Sequence, residues 1–162
     1  MKVAVVILNY NGAAMLGRFL PSVVKYSPDA EIVVADNAST DDSVAVVAKD
    51  FPGVRLIQLD RNYGFADGYN KALEQVDAEY FVLLNSDVEV TEGWLEPMLS
   101  LMEKNADVVA CQPKILAYMP VAQLDRVSDS DSEGRAFESH RAYHPFPRFS
   151  GKGIFLSFFL CY

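Results

Sequence analysis

Short apolar runs recur along the first 118 residues, and polar stretches separate them at regular intervals. The runs are rich in Val, Ile and Leu and comprise Val3–Leu8, Glu31–Ala35, Val54–Leu59, Tyr80–Leu84 and Asp107–Cys111. An unbroken run such as Val3–Leu8 is typical of a strand that is buried on both faces, as in a parallel sheet. The pattern therefore predicts five β-strands.

Helical spacing of apolar residues fills the intervals between these runs. The predicted helices are Ala13–Tyr26, Asp41–Asp50, Phe65–Val76 and Glu92–Lys104. Ser39 or Thr40 is expected to cap the second helix and Thr91 the fourth. The alternation predicts an α/β fold, with a mostly parallel sheet flanked by helices and connected by right-handed crossovers.

Composition and charge narrow the class of protein. The chain has 162 residues, of which 51% are hydrophobic and 22% charged, as in globular domains. A net charge of −8 argues against a nucleic-acid partner, which normally meets a basic patch. Cys111 and Cys161 match no metal or disulfide spacing, so we expect free thiols in a reducing compartment.

No apolar run approaches the roughly 18 to 20 residues that a membrane helix needs. We therefore expect no transmembrane segment and no secretory signal. The expected location is cytoplasmic, with at most a peripheral association at the inner face of a membrane.

Four polar clusters follow the first four predicted strands: Asn9–Gly12, Asp36–Ser39, Asp60–Asn62 and Asn85–Asp87. Because the carboxyl ends of parallel strands meet at one edge of the sheet, these clusters predict a ligand crevice there. Asn, Asp and Gly also form turns, so any one cluster is equally compatible with a turn. Four clusters in succession favour a binding site.

The residue types in these clusters suggest a nucleotide and a metal, although the chain has neither a GxGxxG segment nor a Walker-type loop. Asp87, at the end of a strand, offers a hard oxygen ligand for Mg²⁺ or Mn²⁺, although it could instead stabilise a turn. Asp36 can accept a hydrogen bond from a pyrimidine imide or from ribose hydroxyls, and Tyr10 can stack on a base. Gly64 permits close approach of an anion to the start of the third helix.

Four segments together resemble a known enzyme family. They are Val5–Gly12, Val34–Asp41, Asn62–Ala66 with Asn70, and Leu83–Val90. In this order and spacing they are similar to the inverting glycosyltransferases with the GT-A fold, and most of all to their rhamnosyltransferase-like branch. The resemblance covers about residues 1–118.

The resemblance implies a UDP- or dTDP-linked sugar donor, a glycan or lipid-linked acceptor, and a divalent cation, Mg²⁺ or Mn²⁺, as cofactor. Asp87 corresponds to the metal-binding carboxylate of the family's DxD element. The implied nucleotide-binding positions are Asn9, Tyr10, Asn11, Asp36, Asn62, Gly64, Asn70, Asn85 and Ser86. Two positions depart from the family pattern: Asn85 replaces the first Asp of DxD, and Tyr69 stands where many members carry an arginine.

The sequence changes character after residue 118. Residues 119–144 show no strand pattern, and none of their carboxylates matches the family's catalytic base, so no catalytic residue is assigned. We expect a truncated nucleotide-sugar-binding half at residues 1–118 and an atypical tail at residues 119–162. Val121–Arg126 and Phe137–Ser139 can be encoded by codons that read like parts of a tRNA. One hypothesis is a reading frame that runs through a tRNA gene, and the alternative is a divergent protein segment.

Three functions follow from these observations. The first is metal-assisted glycosyl transfer with inversion. The second is a non-catalytic remnant that at most binds the nucleotide, and a catalytic carboxylate beyond residue 118 would distinguish the two. The third and weakest is a nucleotidyltransferase, which would normally carry a glycine- and lysine/arginine-rich loop where this chain has Asn9–Gly12.

Overall fold

The computed structural model describes residues 2–113 and 155–157. Its strands are β1 (Val3–Asn9), β2 (Glu31–Asp36), β3 (Arg55–Gln58), β4 (Tyr80–Asn85) and β5 (Phe155–Ser157). Its helices are α1 (Ala13–Tyr26), α2 (Ser43–Asp50), α3 (Gly64–Leu73) and α4 (Glu96–Lys104). Within the described residues the strands form one parallel sheet in the order β3-β2-β1-β4-β5, which confirms the predicted α/β class.

The sheet is covered on both faces, as the apolar runs predict. Successive residues of a strand point to opposite faces. Val5 and Ile7 of β1 therefore pack with residues of α1, α2 and α4, whereas Ala4 and Val6 pack with residues of α3. Burial on both sides explains why β1 shows no alternation of polar and apolar residues.

The parallel register aligns the polar ends of the central strands. Asn9 is paired with Asp36, and Leu8 with Asn85. The residues that follow β1, β2 and β4 consequently leave the sheet at the same edge.

The fifth strand is not where the sequence pattern predicts it. Residues 107–111 form no strand, and Val109 is 72% exposed. Phe155–Ser157 instead pairs with β4, with Phe155 opposite Phe81. A short β-branched run becomes a strand only where an edge is available for pairing, and here the outer edge of β4 is occupied by β5. Apart from this segment, the predicted tail at residues 119–162 lies outside the described residues, so the division into a binding half and a tail remains a prediction.

Two helix starts also differ from the prediction. α2 begins at Ser43, with Asp42 at its N-cap, so neither Ser39 nor Thr40 caps it. α4 begins at Glu96, so Thr91 is not its cap. Pro97 lies in the first turn of α4, where no N–H is needed for intrahelical bonding.

Candidate functional site

The order of strands places a crevice between β1 and β4. From β1 the chain first adds β2 and β3 on one side and then β4 on the other. In open parallel sheets, ligands bind outside the carboxyl ends of the strands at such a reversal of strand order. The loops that begin at Asn9 and Asn85 border this point, since Asn85 is paired with Leu8 beside Asn9.

A buried carboxylate and amide lie next to this crevice. Asp36 is 3% exposed and Asn9 is 1% exposed. The Asn9 Nδ2 group donates to Asp36 Oδ1 over 3.1 Å, and the backbone N–H of Ser39 donates to Asp36 Oδ2 over 2.9 Å. Each carboxylate oxygen has a further lone pair, so Asp36 can still accept a hydrogen bond from a ligand.

The hydrogen bonds to Asp36 fix the orientation of the Asn9 amide. An ionised carboxylate only accepts hydrogen bonds, so the NH₂ group must face it and Oδ1 must face away. Within the described residues Asn9 Oδ1 is buried and has no hydrogen-bond partner. A Cβ on Gly12 would lie 2.3 Å from this oxygen and 3.6 Å from Ser86 Oγ. Any side chain at position 12 would therefore force the Asn9 side chain to move, and the space that glycine leaves lies beside Asn9 and Ser86.

Side chains from the loop after β2 bind the start of α1. Ser39 Oγ accepts from the backbone N–H of Asn11 at 2.9 Å, and Asn11 Oδ1 accepts from the backbone N–H of Thr40 at 2.7 Å. Ser43 Oγ accepts from Gly12 N, and Asp41 Oδ2 accepts from Ala13 N at 3.0 Å. Asp41 therefore binds the first N–H of α1, and the other contacts join the residues just before α1 to the β2 loop and the start of α2.

The backbone of both loops supports this contact. Asn11 has φ 51° and Ala38 has φ 61°, in the left-handed region where non-glycine residues are uncommon. Asn tolerates this conformation best among the residues with a Cβ. The two loops are thus held in one arrangement by several hydrogen bonds between them.

Asp41 is an ionisable residue within the hydrogen bonds that join the β1 and β2 loops. Its Oδ1 accepts from the hydroxyl and the backbone N–H of Ser43. The hydrogen bond from the Ser43 hydroxyl, followed by those from backbone N–H groups, lowers the pKa of Asp41 below its ordinary value of 3.8.

Asn37 connects the end of β2 to the start of α3. Its side chain is buried and donates from Nδ2 to Asn62 Oδ1 and to the Gly64 carbonyl, each at 2.9 Å. Its Oδ1 accepts from the backbone N–H of Tyr63 at 2.9 Å. Asn62 Oδ1 also accepts from Gly64 N, so the Tyr63 and Gly64 amides are already bonded within the protein. Gly64 has φ 75°, which explains the glycine at this turn.

Aromatic side chains line the outer rim of the crevice. Tyr10 is 51% exposed and Phe65, in the first turn of α3, is 49% exposed. Tyr63 donates from its hydroxyl to Asp60 over 2.7 Å, and this bond lowers the pKa of Asp60. The Arg61 guanidinium lies 4.7 Å from the centre of the Tyr63 ring. Tyr10 is thus placed where it can stack on a flat ligand.

Tyr69 lies inside the protein, beneath the crevice. It is 2% exposed and packs against Phe65 with an interplanar angle of 76°. Its hydroxyl donates to the Leu84 carbonyl, and burial raises the pKa of this hydroxyl well above its usual range. Tyr69 therefore remains neutral and cannot supply the positive charge of an arginine.

The remaining predicted residues lie on or near the crevice to different degrees. Asn85, Ser86 and Asp87 are half-buried and follow one another at the end of β4. Asn70 is half-buried on α3, and no hydrogen bond joins its Oδ1 to another described residue. Asn9, Asn11 and Asp36 are linked through Ser39, and Asn62 and Gly64 are linked through Asn37. The predicted site residues do not include Asn37 and Asp41, whose hydrogen bonds hold the loop after β2 against α3 and α1, although both stand within the polar cluster after β2 and its continuation.

The surroundings of Asp87 fit a metal ion that takes most of its ligands from water and from the substrate. The described residues contain no group of three or more His, Cys, Asp or Glu side chains that could hold an ion. Mg²⁺ commonly binds one or two carboxylates together with water and substrate phosphates. A single carboxylate at the end of β4 is compatible with that mode and not with a fully protein-made cage.

A separate cleft lies at the opposite edge of the sheet. It has a volume of about 490 Å³ and is bordered by the segments Val24–Ile32 and Asp50–Arg55. None of the predicted site residues lines this cleft. Among the described residues no helix has the length and apolar character needed to cross a membrane.

The parallel sheet and its crevice define an α/β domain of the kind found in sugar transferases. The family described as "Glycosyl transferase family 2" matches residues 4–150. The chain therefore belongs to glycosyl transferase family 2. The match ends well beyond residue 118, so the family resemblance extends further along the chain than the four motifs.

Individual relatives agree with this assignment. The chain is 31% identical over 132 residues to the teichoic acid poly(glycerol phosphate) polymerase of Staphylococcus epidermidis, which covers 78% of this chain and 18% of that protein. Among solved structures, S. aureus TarS residues 1–349 in complex with UDP-GlcNAc is 25% identical with a TM-score of 0.61, covering 69% of this chain and 34% of that one. The mannosyltransferase PcManGT of Pyrobaculum calidifontis, in complex with GDP-Man and Mn²⁺, is 24% identical with a TM-score of 0.56 and shares the fold, covering 62% of this chain and 32% of that one. The chain thus spans about a third or less of the length of these relatives.

Proposed function

We propose that this protein transfers a sugar from a nucleoside-diphosphate donor, UDP- or dTDP-linked, to a glycan or lipid-linked acceptor with inversion at the anomeric carbon. The observation that carries the proposal is the buried Asn9–Asp36 pair beside the β1–β4 crevice. A buried carboxylate that keeps a free lone pair is suited to an imide N–H or a ribose hydroxyl, and both are found in these donors. Membership of glycosyl transferase family 2 and the UDP-GlcNAc complex of TarS support the same donor class.

Each part of the crevice has a role in this proposal. Asp36 and Asn9 accept hydrogen bonds from the nucleoside, and Tyr10 stacks on the base. Asn11 holds the β1 loop against the β2 loop through Ser39 and Thr40. Asn62, Gly64 and Asn70 border the donor on the α3 side, and Asn85 and Ser86 border it on the β4 side.

Asp87 is proposed as the carboxylate that holds Mg²⁺ or Mn²⁺. When bound, the cation offsets the charge of the diphosphate, which a chain with a net charge of −8 would otherwise repel. The acceptor hydroxyl then forms a bond to the anomeric carbon while the bond from that carbon to the diphosphate oxygen breaks. The hydroxyl proton passes to a base that we assign to no residue. With a lipid-linked acceptor, the reaction would take place at the cytoplasmic face of a membrane.

Release of the nucleoside diphosphate tests this proposal. The purified chain is incubated with UDP- and dTDP-sugars and candidate acceptors, with Mn²⁺, with Mg²⁺ or with EDTA, and free UDP and dTDP are measured. We expect acceptor-dependent release that EDTA abolishes. Binding of the nucleotide without any release would favour the non-catalytic remnant, and absence of both would contradict the proposed donor site.

A further inference from the structure

The loop that follows β4 is bonded to the end of α1 by two serine side chains. Ser22 Oγ accepts from the backbone N–H of Val90 over 3.2 Å, and Ser27 Oγ accepts from the indole N–H of Trp94 over 3.1 Å. Val90 is 5% exposed and belongs to the same apolar core as α1. The two hydrogen bonds reach the loop three and seven residues after Asp87, the proposed metal ligand.

The Ser22 hydroxyl is oriented for this bond by its own helix. It donates its hydrogen to the Phe19 carbonyl over 2.8 Å, so its lone pairs remain to accept from the Val90 N–H. Ser22 lies nine residues after Ala13, the first residue of α1, which is about 14 Å along the helix axis from the crevice end. It can therefore act on the crevice only through the loop that it binds.

Asp87 lies between this hydrogen bond and the sheet. On one side, Asn85 is the last residue of β4 and is paired with Leu8 of β1. On the other side, Val88 packs against the apolar core and Val90 is bonded to α1. The short segment that carries Asp87 is thus held at both ends, and release of the Val90 end would let Asp87 shift.

From this geometry, and resting on the proposed function, we propose that Ser22 is a positioning residue for the metal site. Its hydroxyl, through the Val90 N–H, holds the segment of Asp87 in the place where this carboxylate meets the divalent cation and the diphosphate of the donor. Loss of the hydroxyl should therefore weaken the part of nucleotide binding that depends on the cation. Binding of the nucleoside by Asn9 and Asp36 should not change.

Three variants separate this role from a general loss of stability. Ser22→Ala removes the hydroxyl. Ser22→Thr keeps it, because the hydroxyl of a helical Thr can also bond a carbonyl one turn earlier. Ser27→Ala is the matched control, since it removes a hydrogen bond between α1 and the same loop at a point farther from Asp87.

The first measurement needs no ligand. Amide hydrogen exchange of Val90 is followed relative to that of a buried β1 amide, Val6, so that a change in global stability cancels. We expect Val90 to exchange about tenfold faster in Ser22→Ala, the effect of one lost hydrogen bond, and at the wild-type rate in Ser22→Thr and Ser27→Ala. Equal relative rates in Ser22→Ala and the wild type would overturn the proposal. A Ser22→Thr rate as fast as that of Ser22→Ala would overturn it too, because the hydroxyl would then not be the cause.

The second measurement is calorimetric binding of UDP, with Mn²⁺ and with EDTA. A shift of about an ångström in a site costs up to about a hundredfold in function, so we expect Ser22→Ala to bind about tenfold more weakly with Mn²⁺ and equally well with EDTA. Ser22→Thr and Ser27→Ala should match the wild type under both conditions. An equal loss with Mn²⁺ and with EDTA, or no loss under either condition, would overturn the positioning role.

The wild type distinguishes failure of this role from failure of the proposed function. If the wild type shows no Mn²⁺-dependent binding of UDP, the proposed metal site fails and the role of Ser22 fails with it. If the wild type binds UDP with Mn²⁺ and Ser22→Ala binds it equally well, only the role of Ser22 is contradicted.

Discussion

At the scale of single residues, the crevice depends on the buried side chains of Asp36 and Asn9, whose orientation their hydrogen bonds fix. Asp36 accepts from Asn9 and from the Ser39 backbone, and this arrangement directs the free Asn9 oxygen toward Gly12. Leaving a buried polar group unpaired costs about 1–3 kcal/mol, so such a group is retained where a ligand can complete its bonding. In the proposed function, the Asn9 oxygen is the group that would accept a hydrogen bond from a hydroxyl or N–H of the bound nucleotide sugar.

Asp36→Asn should destabilise the protein. An amide can accept at one end only, so its NH₂ group would face either Asn9 Nδ2 or the Ser39 N–H, both of which are donors. The expected loss in free energy of unfolding is about 1–3 kcal/mol, measured by urea denaturation. Asp29→Asn, in an exposed turn, is the matched control and should lie within about 0.5 kcal/mol of the wild type. Equal stability of the Asp36 and Asp29 variants would show that the hydrogen bonds to Asp36 contribute little.

Asp41 should make stability depend on pH in the acid range. Its pKa is lowered in the folded state, so its contribution is fully present above the ordinary value of 3.8 and is lost as the pH falls through the lower folded pKa. In unfolding measured between pH 2 and pH 5, the wild type should lose stability below pH 3.8 more steeply than Asp41→Asn. Asp42→Asn removes a carboxylate that makes no capping hydrogen bond and should follow the wild type. Parallel curves for the wild type and Asp41→Asn would contradict this role of Asp41.

The residues of the crevice were easier to predict than their contacts. Asn9, Asn11 and Asp36 stand directly after apolar runs, so the order of the chain already places them at one edge. Ser39 and Thr40 were expected to cap α2, because Ser and Thr are good N-caps wherever a helix follows. Their contacts with Asn11 of the β1 loop depend on the spacing of two loops, which a local sequence pattern does not contain.

At the scale of elements, the start of α1 is where the fold and the site constrain each other. Gly12 must lack a side chain to leave room for Asn9 Oδ1, whereas a Cβ on Gly17, within α1, would have no packing neighbour within 4 Å. Gly12 is therefore required by its packing against Asn9, whereas no packing contact requires a glycine at position 17.

Gly12→Ala and Gly17→Ala should change stability in opposite directions. The alanine at position 12 would displace the Asn9 side chain and break its bond to Asp36, at a cost of about 1–3 kcal/mol. The alanine at position 17 should stabilise the protein by about 0.5–1 kcal/mol, because glycine is unfavourable inside a helix. Thermal and urea unfolding of both variants provide the comparison. A stabilised Gly12→Ala variant would mean that the Asn9 side chain can move aside without loss.

Strands with strong local signals were predicted well, and those that depend on a distant partner were not. β1, β2 and β4 are central, so their apolar residues reflect burial on both faces. Residues 107–111 have similar composition but no strand to pair with, whereas Phe155–Ser157 pairs with β4 from a distance of about 70 residues in the chain. Pairing over such a distance is decided by the tertiary structure and leaves little trace in the local pattern.

At the scale of the whole molecule, the order of strands determines where the site forms. The reversal between β1 and β4 brings the Asn9–Gly12 and Asn85–Asp87 loops to the same crevice, although more than 70 residues of chain separate them. For the proposed diphosphate ligand, the net charge of −8 would make a bound cation important. The fold class and the site's edge of the sheet could be predicted from the alternation of strands and helices. The spacing of the two loops at the crevice could not, because it depends on how β1 and β4 pair in the tertiary structure.

Calorimetric titration of UDP and dTDP, with and without Mn²⁺, is the most direct test of the nucleotide-donor site at this crevice. It compares the wild type with Asp87→Asn and with the matched variant Asp107→Asn, which changes an exposed carboxylate in the turn after α4. We expect the wild type and Asp107→Asn to bind a nucleotide in the presence of Mn²⁺, and Asp87→Asn to lose at least about tenfold in affinity, the effect of about 1.4 kcal/mol. Binding that is indifferent to both Mn²⁺ and Asp87, or no binding by the folded wild type, would contradict the account.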